Sequence, residues 1–213
     1  GRHRAAYDND GDGYTELGKL EAKTLGFRSY LKTSNYAKLT FEYHNISEFR
    51  RGGNLLDLPP HETDITEQTD HQINGGGLKF DLFSKNERHR LSVYTSAQHT
   101  KRQSYYGAGH DPNAYGSTTD MTFVGGSQYN YESERCLFMP ATFTGGMEYS
   151  YDDLQDRMLG YNRTISQTVH IGSLFAQNEW KNHYWSLLIG GRLDKHNLMD
   201  HVIFSPRANL RYN

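Results

Sequence analysis

Residues 8–16 read Asp8-Asn9-Asp10-Gly11-Asp12-Gly13-Tyr14-Thr15-Glu16, and this run is the best local candidate for a site in the 213-residue chain. Carboxylates packed this closely repel one another unless a cation sits among them, and Ca²⁺ accepts irregular shells of about six to eight oxygens. Alternate acidic positions with glycine in sixth place match the first half of an EF-hand loop. The twelfth position, where a bidentate acid belongs, is Lys19, and no helical pattern flanks the run. An EF-hand is therefore not expected. Two readings stay open: a loop that borrows ligands from a neighbour to hold Ca²⁺, or a solvated acidic turn, since Asn, Asp and Gly form turns without any metal.

Other chemistry is sparse. There is no G-x-S-x-G elbow and no phosphate loop, so no enzyme is expected. The single cysteine, Cys136, excludes an internal disulfide and a multi-cysteine metal site. A net charge of −2 with no basic run argues against a nucleic-acid partner. No stretch of apolar residues is long enough for a membrane-crossing helix, which leaves barrel strands open because they are short and alternating.

The elements that must position any site are strands. In residues 142–151, Phe143, Gly145, Met147, Tyr149 and Tyr151 alternate with Thr144, Gly146, Glu148 and Ser150. A period of two places these sets on opposite faces. Roughly nine such segments follow one another, near 17–33, 36–50, 66–84, 89–103, 118–131, 137–153, 164–180, 183–194 and 202–212. The 164–180 segment alternates least clearly, so its register stays open. Sixteen tyrosines and 21 glycines beside only 35% hydrophobic residues suit half-polar strands better than a dry core.

Connections at 34–35, 85–87, 132–135 and 181–182 are short, whereas 52–64, 104–117, 154–163 and 195–201 are longer and polar. Alternation of the two kinds puts every long loop on one side, as in outer-membrane barrels. The expected fold is therefore all-β, an antiparallel transmembrane β-barrel segment of up-and-down strands. The alternative is a soluble Ca²⁺-dependent β-sandwich adhesin or carbohydrate-binding module, which gives no reason for such alternation. On the barrel reading Glu42, His44, Asp81, Glu148, Arg192, Arg207 and Arg211 line a hydrated interior.

The C-terminal third carries a family resemblance. Phe175-Ala176-Gln177-Asn178-Glu179-Trp180, then Gly190-Gly191-Arg192-Leu193-Asp194, then Phe204-Ser205-Pro206-Arg207 with Leu210-Arg211-Tyr212 stand in one order within a short span. Together they resemble the barrel of TonB-dependent outer-membrane receptors. The resemblance implies that residues 1–213 are a partial barrel domain, without the plug domain and the closing strands. It also implies an outer-membrane location in a Gram-negative bacterium and uptake of a metal-bearing nutrient, with cobalamin ahead of ferric siderophore and haem third. Implied partners are TonB through an N-terminal region, outer-membrane lipid and a surface lipoprotein.

Asp8-Asn9-Asp10-Gly11 with Lys23-Thr24-Leu25 downstream is similar to the calcium-organised loop of cobalamin receptors in that family. By that resemblance Asp8, Asp10 and Asp12 are Ca²⁺ ligands, joined by the Tyr14 carbonyl and Glu16. Candidate ligand-binding residues are Arg50 and Arg51, which could attract an anionic siderophore, a corrinoid phosphate or lipopolysaccharide. Lys101-Arg102 could act likewise. Tyr105, Tyr106 and Tyr115, in an aromatic loop, could stack on a flat ligand or form an interfacial girdle. His61, His71, His99 and His110 lie near the long-loop side, where a haem could take one as axial ligand, although none has a partner at ligand spacing. His61 and His110 are the favoured pair. For each charged residue the plain alternative is a hydrated surface group.

Overall fold

The computed structural model describes residues 1–212. Ten strands run β1 (Arg2–Arg4), β2 (Lys19–Ser34), β3 (Ala37–Gly53), β4 (Ile65–Phe83), β5 (His89–Ala108), β6 (Tyr115–Cys136), β7 (Met139–Met158), β8 (Arg163–Lys181), β9 (Trp185–His196) and β10 (Val202–Tyr212). They form one sheet in sequence order, each strand antiparallel to the next, and β1 and β10 are its edges. There is no second sheet among the described residues, so the two-layer sandwich alternative does not hold.

The register explains why the sheet has two different faces. Leu31, Leu39, Phe80, Val93, Ser127, Met147, Leu174, Leu193 and Phe204 pair in one row across β2–β10. Paired residues share a face, so this face is apolar almost throughout. It is also exposed, with Leu31 at 60% and Leu174 at 57%. The neighbouring row on the other face reads Thr40, Lys79, Tyr94, Gly126, Glu148, Ser173 and Asp194. Here the shielded residues are polar, including Thr40, Asp81, Ser92 and Ser173. A water-soluble domain distributes these classes the other way round. The seven residues expected in a hydrated interior all lie on this polar face. The Tyr94 hydroxyl donates to Glu148 Oε2 at 2.7 Å, and Arg192 reaches Glu148 at 3.0 Å and Asp194 at 2.8 Å.

Aromatic side chains bracket the apolar face. Towards the turn end lie the stacked His89–Tyr131 pair, Phe138 on Trp180 and Trp185 on Tyr212. Towards the loop end, Tyr149 and Tyr151 enclose His170. Eight residue steps along β6 lead from Tyr131 to Phe123, which pairs with Tyr151. At about 3.3 Å per residue and a tilt of about 40°, that spans about 20 Å, comparable with the apolar band of outer-membrane barrels.

Two expectations are corrected. The short strand β1 carries no alternation and was not anticipated. It is held by pairing of Arg2, His3 and Arg4 with Ala22, Glu21 and Leu20. The expected loops 104–117 and 154–163 shrink to 109–114 and 159–162, because β5, β6 and β7 continue past the apolar band. Beyond that band both faces meet water, so alternation disappears while backbone pairing persists. The connection asymmetry is thus weaker than the sequence suggests, and residues 5–18 and 54–64 are the long inter-strand loops at the loop end. The 164–180 register is settled: Leu174, Ala176 and Trp180 face outward and Phe175 inward against Gly146.

Candidate functional site

The acidic run folds as a closed loop at the loop end of the sheet. Tyr7 and Leu17 bridge its base through backbone hydrogen bonds of 2.8 and 3.2 Å. Gly11 and Gly13 take positive φ angles of 75° and 88°, a region where glycine has no Cβ clash. Their N–H groups donate to Asp8 Oδ1 at 2.7 Å and Oδ2 at 2.8 Å. The Tyr14 N–H donates to Asp12 Oδ1, and Asn9 N–H to Glu16 Oε2. One carboxylate oxygen from each of Asp8, Asp10, Asp12 and Glu16 lies within 4.8 Å of the others. All four are exposed hard donors, and each bonded oxygen keeps a second lone pair. The donor set therefore suits Ca²⁺ in number and chemistry.

Donation by the Gly13 amide, then by other loop amides, holds the Asp8 carboxyl below its ordinary pKa. A carboxylate whose folded pKa is depressed contributes order that is complete above the ordinary aspartate range and lost as pH falls through the lowered value. Hydrogen-exchange protection of the Gly11 and Gly13 amides, corrected for intrinsic rate, is expected to survive through the ordinary range and vanish below it. Loss of protection above that range would contradict this arrangement.

The loop abuts a cleft of about 770 Å³ lined by Tyr14, Glu16, Arg50, Arg51, Tyr106 and Arg102, among others. Thr15 couples the two: its N–H donates to the Gly53 carbonyl at 3.1 Å, and Gly53 N–H donates to Thr15 Oγ1 at 3.0 Å. Seven residues singled out from sequence thus border one place, His71 among them, although Arg51 stands in the outer row with Tyr105 and Tyr115. Arg50 Nε donates to Glu48 Oε1 at 2.6 Å, within the same wall. Arg51 donates to the Leu58 carbonyl and so pins loop 54–64.

The remaining candidates lie elsewhere. Tyr105 is in β5, not in a loop, and is fully buried, its hydroxyl donating to the Asp111 carbonyl at 3.0 Å. It cannot stack on a ligand there. Tyr106 is in β5 and Tyr115 in β6, again not in a loop. The Tyr115 ring packs edge-on to Tyr105, and its hydroxyl lies 2.9 Å from His61 Nδ1. His110 Nε2 is 3.5 Å from Asp64, which also accepts from Asn54. His61 and His110 therefore brace loops 54–64 and 109–114. His71 is in β4 and lines the cleft, whereas His99 is in β5.

Sequence reading missed Arg4, Lys19 and the support behind Arg102. Arg4 reaches the cleft only because β1 pairs with β2. Glu48, His71, Arg102, Thr118 and Asp156 form one cross-strand row over β3–β7. Arg102 donates to Thr118 Oγ1 at 2.9 Å, and Thr118 donates to Asp156 Oδ1 at 2.6 Å. Alternation assigns such residues a face, but only the register assigns their partners.

A single meandering sheet with an exposed apolar band, two aromatic borders and a polar inner face defines an outer-membrane β-barrel wall. The profile of the family described as TonB dependent receptor-like, beta-barrel, matches residues 5–213. The chain belongs to that family, whose barrels lie in the outer membrane of Gram-negative bacteria. Among solved structures it resembles the siderophore receptor PirA from Pseudomonas aeruginosa, at 13% identity and TM-score 0.69 over 90% of this chain and 30% of that one. It also resembles the ferric enterobactin receptor PfeA of the same organism, in an R480A_Q482A mutant form, at 16% and 0.68 over 96% and 33%. The outer membrane transporter YddB from Escherichia coli matches at 11% and 0.68, over 90% and 29%. No curated protein matches. The chain spans about a third of the length of these receptors.

Proposed function

We propose that the loop-end cleft is part of the site where the intact receptor takes up a small metal-bearing nutrient from outside the cell, with TonB supplying the energy through an N-terminal region. The observation that carries this reading is the meeting of Tyr14, Glu16, Arg50, Arg102 and Tyr106 in one cleft of a receptor barrel. A ferric siderophore is the leading ligand class, because PirA is a siderophore receptor and PfeA a ferric enterobactin receptor by name. Cobalamin is the second reading, and the acidic loop favours it through its likeness to a calcium-organised loop. Haem draws less support, since His61 and His110 already brace loops. In this proposal Asp8, Asp10, Asp12 and Glu16 hold Ca²⁺, with Tyr14 completing the loop, and the ion's charge orders the loop beside the cleft.

The deciding measurement is ligand binding by the full-length receptor in detergent, titrating a ferric siderophore and cobalamin, each with and without Ca²⁺. Ca²⁺-dependent binding, weakened at least tenfold in Asp10→Ala, supports both the nutrient and the metal. Binding that ignores Ca²⁺ and tolerates Asp10→Ala retires the metal and keeps the receptor. Binding of neither ligand retires both ligand classes.

A further inference from the structure

We infer that the loop-end half of β8 is a docking edge for an extended peptide strand of another protein, uncharged and alternating hydroxylated with aliphatic residues. The inference goes beyond nutrient uptake and does not depend on it. Strand β8 pairs with β7 from Arg163 to Trp180, whereas its ladder with β9 stops at Ile171, opposite His196. Residues 163–170 therefore rise past the apolar band with one side open, a step roughly 23 Å high at about 3.3 Å per residue. The step lies inside the sheet, with β9 and β10 next in order, and is not one of the sheet's two outer edges.

Asn197 shows which backbone groups face the open side. Its N–H donates to the His170 carbonyl at 3.0 Å, its Oδ1 accepts from the His170 N–H at 2.9 Å, and its Nδ2 donates to the Thr168 carbonyl at 2.9 Å. Both backbone groups of a strand residue point to one side, and alternate residues share that side. Thr168, Ser166 and Thr164 therefore turn theirs the same way as His170. The Thr168 N–H and both groups of Ser166 and Thr164 meet no partner among the described residues. The 197–201 connection does not climb to them. Leu198 N–H donates to His196 Nδ1, Met199 N–H to the His196 carbonyl, and Lys195 Nζ to the carbonyls of Met199 and Asp200.

Proteins blunt an open edge with charge, proline or a bulge. Thr164-Ile165-Ser166-Gln167-Thr168-Val169 has no charge and no proline, and it pairs with β7 without a register shift. Water satisfies the open groups in the free protein, and an added strand replaces that water with a regular ladder. Antiparallel addition continues the direction of β9. Paired residues share a face, so partner residues beside Ile165 and Val169 on the inner face are aliphatic. Those beside Thr164, Ser166 and Thr168 on the outer face carry hydroxyls. Arg163 is already bound to Asp156 at 2.7 Å, so the edge offers a charged segment no counter-charge.

The test uses the full-length receptor in detergent and a short synthetic peptide of alternating threonine and valine, beside the same peptide N-methylated at every second residue. The expected result is binding of the plain peptide with slowed hydrogen exchange at the Thr164, Ser166 and Thr168 amides, and at least tenfold weaker binding of the methylated form. Ser166→Pro is expected to weaken the plain peptide at least tenfold while leaving stability and nutrient binding unchanged, because the lost N–H faces the open side and proline is tolerated at a strand edge. No binding, or equal binding of the methylated peptide, would overturn the inference. So would slow exchange of those three amides in the free receptor, which would show that the receptor covers the edge itself. The uptake reading stands under each of these outcomes.

Discussion

Replacing Gly146 with valine lowers the stability of the barrel wall by about 3 kcal/mol, the upper part of the range for overpacking in a well-packed site. A Cβ at Gly146 would overlap the Ser127 carbonyl oxygen and lie 2.6 Å from Cζ of the Phe175 ring. The ring can rotate away. The carbonyl cannot, because β6 and β7 pair continuously from Gly116–Met158 to Ser133–Ala141. Relief therefore requires two central strands to part, which removes ladder hydrogen bonds in a setting with few alternative partners. Denaturant unfolding of the receptor in detergent measures the change. Gly172→Ala is the matched control, since a Cβ there meets nothing within 4 Å and is expected to shift stability by no more than about 0.5 kcal/mol. Adding Phe175→Leu to Gly146→Val is expected to recover only part of the loss, because the carbonyl overlap remains. Full recovery would show that the ring, and not the backbone, sets the constraint.

Asp156→Ala is expected to cost about 2 kcal/mol and also to disturb the cleft. Asp156 is 5% exposed and joins four strands' worth of polar groups: Thr118 and Arg102 on one oxygen, Arg163 twice on the other. Removing one partner of a buried pair costs about 3–5 kcal/mol in a dry interior. Arg163 and Arg102 keep 47% and 32% of their side-chain surface, so water recovers part of that loss and the estimate falls to about 2. Asp156→Asn keeps the shape and the acceptor for Thr118 but removes the charge, and it is expected to lie between wild type and Asp156→Ala. The binding readout distinguishes this residue from a purely structural one. With Asp156 gone, Arg102 loses its nearest carboxylate, so ligand binding at the cleft is expected to become more sensitive to salt. An Asp156→Ala receptor with unchanged stability would show that water already screens the pair completely.

These expectations separate what different levels of description supply. Long β-strands, their order and their two faces follow from alternation in segments such as 142–151, because a pleated strand sorts side chains by parity whatever their partners. The membrane reading follows too, since apolar residues recur on one face of every long strand and no second layer is left to cover them. Family membership was legible in three short motifs near the C-terminal end. The acidic loop was legible because its donors are consecutive and need no long-range contact to come together.

What the tertiary structure decided is everything that depends on register and on the ends of strands. Tyr105 and Tyr106 adjoin in sequence, yet one is fully buried and the other lines the cleft, because adjacent residues of a strand point to opposite faces. Arg4 enters the site through a three-residue strand with no pattern of its own. Arg102 acquires Thr118 and Asp156 only through pairing across β5, β6 and β7. Beyond the apolar band water contacts both faces, so burial no longer constrains residue type and alternation no longer reports strand length. Local spacing can therefore nominate the donors of a loop, but a cleft assembled from β1, β3, β4 and β5 exists only once the backbone ladder has set which residues stand opposite one another.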